Sequence, residues 1–206
     1  MLNSKAEEPY WTQIAGVLGV VGDERAINAL IAFVEKPVSE AHLSRAHQDA
    51  RQQAIMSLGY LINKTGSERA LTYLIDGLTP SEWRQRRVQG IAPWASSYEE
   101  YDLQLSKYAL FGLALSGHPR AGEALRSLQQ SPTAEQMQFR KGLDSTLTQW
   151  LEVHAQVAAQ GVAGMYEHYE NERRHQREAQ LEEIERLRGP EARRLHEAQE
   201  SPSEPQ

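Results

Sequence analysis

The chain has 206 residues, 40% of them hydrophobic and 24% charged, with a formal net charge of −6. It holds no cysteine, which excludes thiol catalysis, disulfides and cysteine-based zinc sites. The acidic balance argues against a duplex-DNA binder, which needs a positive field to release counterions from the phosphates.

The first apolar run, Ile14 to Val21, follows Glu7 and Glu8. It is too short to span a bilayer, and its acidic flank is wrong for a signal peptide. We therefore expect no membrane span and a cytoplasmic location. An exported compartment stays open if a leader has been removed ahead of Met1.

Ile14, Val17, Leu18 and Val21 sit at helical spacing, followed by a second stripe at Ile27, Leu30, Ile31 and Val34. Between them, Val17-Leu18-Gly19 leads to Gly22-Asp23-Glu24-Arg25-Ala26. A helical glycine at 19 costs stability and points to a neighbouring helix at close range. Gly22 is expected in the left-handed conformation that closes a helix, and Asp23 caps the next one. Residues 38–53 read as a lengthened first helix of a second unit, with Ser39 as N-cap. His42, Arg45, His47 and Arg51 would lie on a solvated face, and the two histidines are spaced poorly for a metal.

The pattern then returns as Ser57-Leu58-Gly59 with Gly66-Ser67-Glu68-Arg69-Ala70, and as Leu110-Phe111-Gly112 with Gly117-His118-Pro119-Arg120-Ala121. Arg25 and Arg69 lie 44 positions apart and Arg69 and Arg120 lie 51 apart, so the later interval carries an insertion. Leu71, Leu74, Ile75 and Leu78 form the second unit's stripe, whereas Gly122 and Arg126 thin that of the third. Pro37, Pro80 and Pro132 stop the three second helices.

The insertion holds Trp83, Arg84, Arg86, Arg87, Trp94, Tyr98 and Tyr101. We expect a short helix from Ser81, an irregular loop around Gly90 and Pro93, and a helix capped by Ser97-Tyr98-Glu99-Glu100. Tryptophan, tyrosine and arginine are enriched at interface hot spots. The same residues could stack on single-stranded nucleic acid, or tuck inward as a satellite core.

After Pro132 the box Thr133-Ala134-Glu135-Gln136 starts a capping helix whose stripe is Phe139, Leu143, Leu147, Trp150 and Leu151. A bend is expected near Gly161. Glu170 to Glu200 is rich in Arg and Glu, with a weak stripe at Leu181, Ile184 and Leu187, and reads as a long charged helix that is either solvated or docked on a partner. Residues 201–206 are expected to be disordered.

The repeated Leu-Gly…Gly-Asp-x-Arg-Ala pattern, across roughly residues 9–131, resembles the HEAT repeat family, especially the bacterial helical repeats found in phycobilisome-lyase-like proteins. The resemblance implies an all-α superhelix, a short HEAT-like solenoid that with its capping helix fills 1–160; composition adds a charged helical extension at 161–200 and a tail at 201–206. It also implies that Arg25, Arg69 and Arg120 form a structural ladder bonding turns and neighbouring repeats.

No phosphate-binding glycine loop, His-Glu-x-x-His or nucleophile elbow occurs. We assign no catalytic residue, metal site or cofactor. His168 with Glu172 is one helical pair, and His196-Glu197 is one copy of a dipeptide that HEAT-like metal hydroxylases repeat. The leading expectation is a non-enzymatic scaffold that binds a protein partner. The alternative is an enzyme or enzyme accessory on the same scaffold, either bilin-lyase-like or a nucleic-acid repair protein.

Overall fold

A computed structural model describes residues 5–38, 42–86, 88, 90–141 and 144–188. The fold is all-α. Among the described residues the one departure is an isolated bridge between His42 and Ile91. The chain divides into two compact units, Met1–Val162 and Ala163–Gln206.

In the first unit a 3-10 turn, Lys5–Tyr10, leads into α1 (Trp11–Val21) and α2 (Glu24–Val34). Then come α3 (Arg45–Thr65), α4 (Glu68–Asp76), α5 (Pro80–Gln85), α6 (Tyr98–Ser116), α7 (Pro119–Gln130) and α8 (Ala134–Lys141). A final helical segment, α9 (Asp144–Arg188), is interrupted at Gly161, where φ is 72° and ψ is 172°.

The three unit-initial helices pack in a row, α1 on α3 and α3 on α6, with α2, α4 and α7 laid against them. The helical glycines set this row. A Cβ on Gly19 would come 2.7 Å from the Ser57 side chain, and one on Gly59 would come 2.0 Å from the Gly112 carbonyl oxygen. One on Gly112 would meet Leu74 Cδ1 at 2.9 Å. Glycine pays its helical penalty at these positions because nothing larger fits. The stripe residues fill the space between layers: Leu30, Val34, Leu58, Leu71, Leu74, Leu110 and Leu113 are fully buried.

The turns follow the expected chemistry with one exception. Gly66 and Gly117 are left-handed, with φ of 68° and 57°. Gly22 is not; its φ is −67°, and it is confined instead by the Leu18 carbonyl and the Ala26 methyl. Asp23 accepts from Arg25 N at 2.9 Å, Ser67 from Ala70 N at 3.5 Å, and Pro119 occupies the first turn of α7.

The stretch before α3 corrects two expectations. Ser44, accepting from His47 N at 3.1 Å, caps the helix; Ser39 lies outside the described residues. Its first turns are not a solvated face either. His42 and Arg45 are exposed, but His47 is buried against Trp11 and Phe33, with ring centroids 5.2 and 5.3 Å away, and Arg51 is fully buried. The reason is long-range. Leu43 N donates to Ile91 O at 2.8 Å, and Arg51 Nη1 reaches Gly90 O, so the inserted loop lies over this end of α3.

After Pro132 the chain is helical over Ala134–Lys141 and again from Asp144, and 142–143 between them lie outside the described residues. The Thr133 box is reciprocal as expected, with Gln136 N donating to Thr133 Oγ1 at 3.3 Å and Thr133 N to Gln136 Oε1 at 3.0 Å. The start of α9 packs on α6 and on the turn before α7. Trp150 stacks on Phe111 at 4.3 Å, and the His154 ring nitrogen meets His118 O at 3.0 Å. Leu143, Gly189-Pro190, His196-Glu197 and the tail 201–206 lie outside the described residues.

In the second unit the helix runs to Arg188 with an almost entirely exposed surface, and Leu181 is buried. Intrahelical ion pairs, Arg173–Glu170 and Arg186–Glu183, lie along it. No helix among the described residues is long and apolar enough to cross a membrane.

Candidate functional site

The insertion between the second and third units is built outward from one indole. Pro80 sits in the first turn of α5, where its missing N–H is no loss, and Trp83 follows on the inward face. Trp83 is fully buried, and its Nε1–H is shared between Gly77 O and Ser106 Oγ, both at 3.1 Å. Gly77 is needed here, because a Cβ would fall 2.7 Å from the indole. Tyr73 meets the same indole edge-on at 6.0 Å.

Two of the arginines are tied down within the chain. The Arg86 guanidinium lies 4.0 Å from the Tyr73 ring centre and 4.9 Å from that of Trp83, and donates to Tyr73 O at 2.9 Å. Burial pushes the Tyr73 phenol up. Arg84 grips Asp102 with two parallel bonds, at 2.8 and 2.6 Å, and also reaches Val88 O. Burial raises the Asp102 carboxyl, and the Arg84 bonds pull it the other way. Tyr101 is fully buried, with Arg51 6.0 Å from its ring centre. Arg87 lies outside the described residues.

What remains at the surface is aromatic and acidic. Trp94 is 49% exposed and Tyr98 is 40% exposed, and the Arg84 guanidinium lies 4.0 Å from the Tyr98 ring centre. Beside Tyr98 opens a cleft of about 230 Å³ lined by Pro80, Ser81, Arg84, Glu99, Asp102, Leu103 and Glu135. Glu135, from α8, accepts from Ser81 N at 2.5 Å and Ser81 Oγ at 3.0 Å, joining the start of α5 to α8. Glu100 caps the Ser96 N–H and hydroxyl, which hold its carboxyl below the usual range.

The structure thus separates the six described residues among the seven singled out from sequence. Trp83 and Tyr101 are interior, Arg84 and Arg86 are internally bonded, and Trp94 and Tyr98 face solvent. The cleft's own residues, Asp102, Leu103, Ser81 and Glu135, carried no sequence signal as a group, since they come from three separate helices.

The three repeat arginines behave differently from one another. Arg25 is 92% exposed at its side chain and pairs with Asp23 in its own turn, at 2.9 Å. Arg69 donates to Asn28 on α2, and Arg120 donates to Glu68 at the start of α4. The later two therefore each reach back to the preceding unit. Among the described residues no group of three or more acidic or histidine side chains is gathered to hold a metal.

Comparison of the chain with protein families, with curated proteins and with solved structures finds no match.

Proposed function

We propose that this chain is a non-enzymatic interaction protein on a short HEAT-like solenoid, and that the Trp94–Tyr98 corner and its cleft receive a segment of a partner protein. The solenoid reading is supported by the repeated crossings at Gly19, Gly59 and Gly112 and by the back-reaching Arg69 and Arg120. The observation that carries the binding reading is the half-exposed Tyr98 ring, packed on the Arg84 guanidinium that lines the cleft, with exposed Trp94 four positions earlier in the chain. The cleft's walls are fixed by the Arg84–Asp102 and Glu135–Ser81 bonds, so little ordering cost would fall on binding. Glu99 and Glu135 line the cleft and Glu100 stands nearby, so the partner segment we infer carries Lys or Arg beside an apolar residue.

The test is titration with short peptides, Lys/Arg-rich against Glu/Asp-rich, read by calorimetry on the wild type and on Trp94→Ala/Tyr98→Ala. Binding of basic peptides, lost in the double variant at unchanged circular dichroism, is the expected result. Equal binding by wild type and variant would remove the corner as the site. A single-stranded oligonucleotide bound with steep salt dependence would favour the nucleic-acid alternative.

A further inference from the structure

The helix α1 carries a second surface. Trp11, Ala15 and Gly19, spaced four apart, form its buried face toward α3. Its other face is open and mostly apolar: Tyr10 is 62% exposed, Val17 57%, Val20 65% and Val21 67%, with the uncharged Gln13 exposed among them. From Trp11 to Val21 there is no charged residue at all, in a chain where 24% of residues are charged. A solvent-facing helix surface ordinarily carries charge, so a contiguous valine patch marks a surface that meets something.

Val17 is the centre of this face: Gln13 lies one turn before it and Val20 and Val21 one turn after it, all exposed. Among the described elements α1 packs mainly on α3, with lesser contact to α2 and the 3-10 turn, so it stands at the end of the helix row.

Charge decides which helix. Half-buried Glu7 and Glu8 lie at the N-terminal end of α1. At the other end the Lys64 amine donates to Val21 O at 3.2 Å and Gly22 O at 3.0 Å. One end of the patch is thus acidic, the other has a cation, and the middle is neutral. A second α1 laid antiparallel would bring each acidic end to the other's lysine end, oppose the two helix dipoles favourably, and place Val17 on Val17 and Val21 beside the uncharged Gln13 with no charge conflict. A parallel copy would set like ends together.

We propose that two copies of this chain associate through antiparallel α1 helices about a two-fold axis near Val17, joining their helix rows into one. This surface is separate from the Trp94 corner, and each can fail without the other.

Sedimentation velocity across low to high micromolar concentrations should give a species of twice the 23.3 kDa chain mass. Val17→Glu, on an exposed position, should give a monomer with unchanged circular dichroism. Because the chain has no cysteine, single-cysteine variants report contacts cleanly. Val17→Cys should form a disulfide-linked dimer under mild oxidation, and Val21→Cys, displaced from the axis, should do so far less. If Val17→Glu fails to fold, the cross-linking pair and the wild-type mass decide the matter. A wild type that stays monomeric at the highest concentration, a dimer that survives in folded Val17→Glu, or Val21→Cys linking as readily as Val17→Cys overturns the proposal.

Discussion

The α3–α6 crossing and the inserted corner around Trp83 are both buried, yet they are held together by opposite means. At the crossing two helix backbones touch through Gly59 and Gly112, and the surrounding side chains are Leu58, Leu74, Leu110 and Leu113. Its cohesion is dispersion and water exclusion, which depend on volume. The corner is polar and aromatic: one indole N–H with two acceptors, a guanidinium over two rings, and a bidentate Arg84–Asp102 pair. Its cohesion depends on direction, because any one of these groups left alone would be a buried polar atom without a partner. The lesson is that the repeats tolerate no added atom, while the insertion tolerates no missing one.

The sharpest break in this comparison is Trp83→Ala. It should cost about 3–5 kcal/mol in denaturant unfolding, with hydrogen exchange speeding first in α5 and the loop after it. A cost shared evenly across α3 and α6 would show that the corner is not a separate cooperative region. Next comes Gly59→Ala, about 1–3 kcal/mol or somewhat more, since the new methyl meets backbone and not a movable side chain. A neutral result there would mean the crossing relaxes freely.

pH separates the regions further. Burial of His47 between Trp11 and Phe33, with Arg51 and Lys36 nearby, brings its imidazole down to about 4. The unfolded chain takes up a proton near pH 6.5 that the folded chain refuses. Stability is therefore full above about pH 6.5 and falls as the pH drops toward about 4. Burial lowers His154 in the same direction. His47→Phe should flatten part of this slope in thermal melts at constant ionic strength, and an unchanged slope would remove His47 as its source.

Asp102→Asn is a smaller change, about 1–2 kcal/mol, because the Arg84 side chain is 36% exposed and water takes over part of its charge. It should also loosen Tyr98, visible as broadened ring resonances. Smallest is Arg25→Ala, whose partner lies in its own turn: no measurable shift in melting temperature is expected, against a detectable one for Arg120→Ala, which loses its bond to Glu68. Equal effects would erase the distinction among the three arginines.

The row of helices was legible because each glycine in it is expensive in a helix and has few uses there besides a close crossing. The corner's composition was legible too, but not its direction. Sequence gives no way to tell Trp83, which finds Gly77 and Ser106, from Trp94, which finds solvent. The polar run from His47 to Gln52 misled for the same reason. Helical periodicity reads hydrophilic residues as outward, whereas His47 is covered by Trp11 and Phe33 and Arg51 by the loop at Gly90, none of them local in sequence. The cleft was invisible because Ser81, Asp102 and Glu135 share no local spacing.

The contact at Gly59 has a mechanical consequence. Where side chains interdigitate, a helix pair can creep by small rotamer adjustments; where carbonyl lies on Cα, no torsion is available to take up shear. The α3–α6 pair should therefore move as a rigid beam, and any flexing of this unit would be displaced outward to its connections. A force applied at the Trp94 corner would be felt along α6 without being absorbed there.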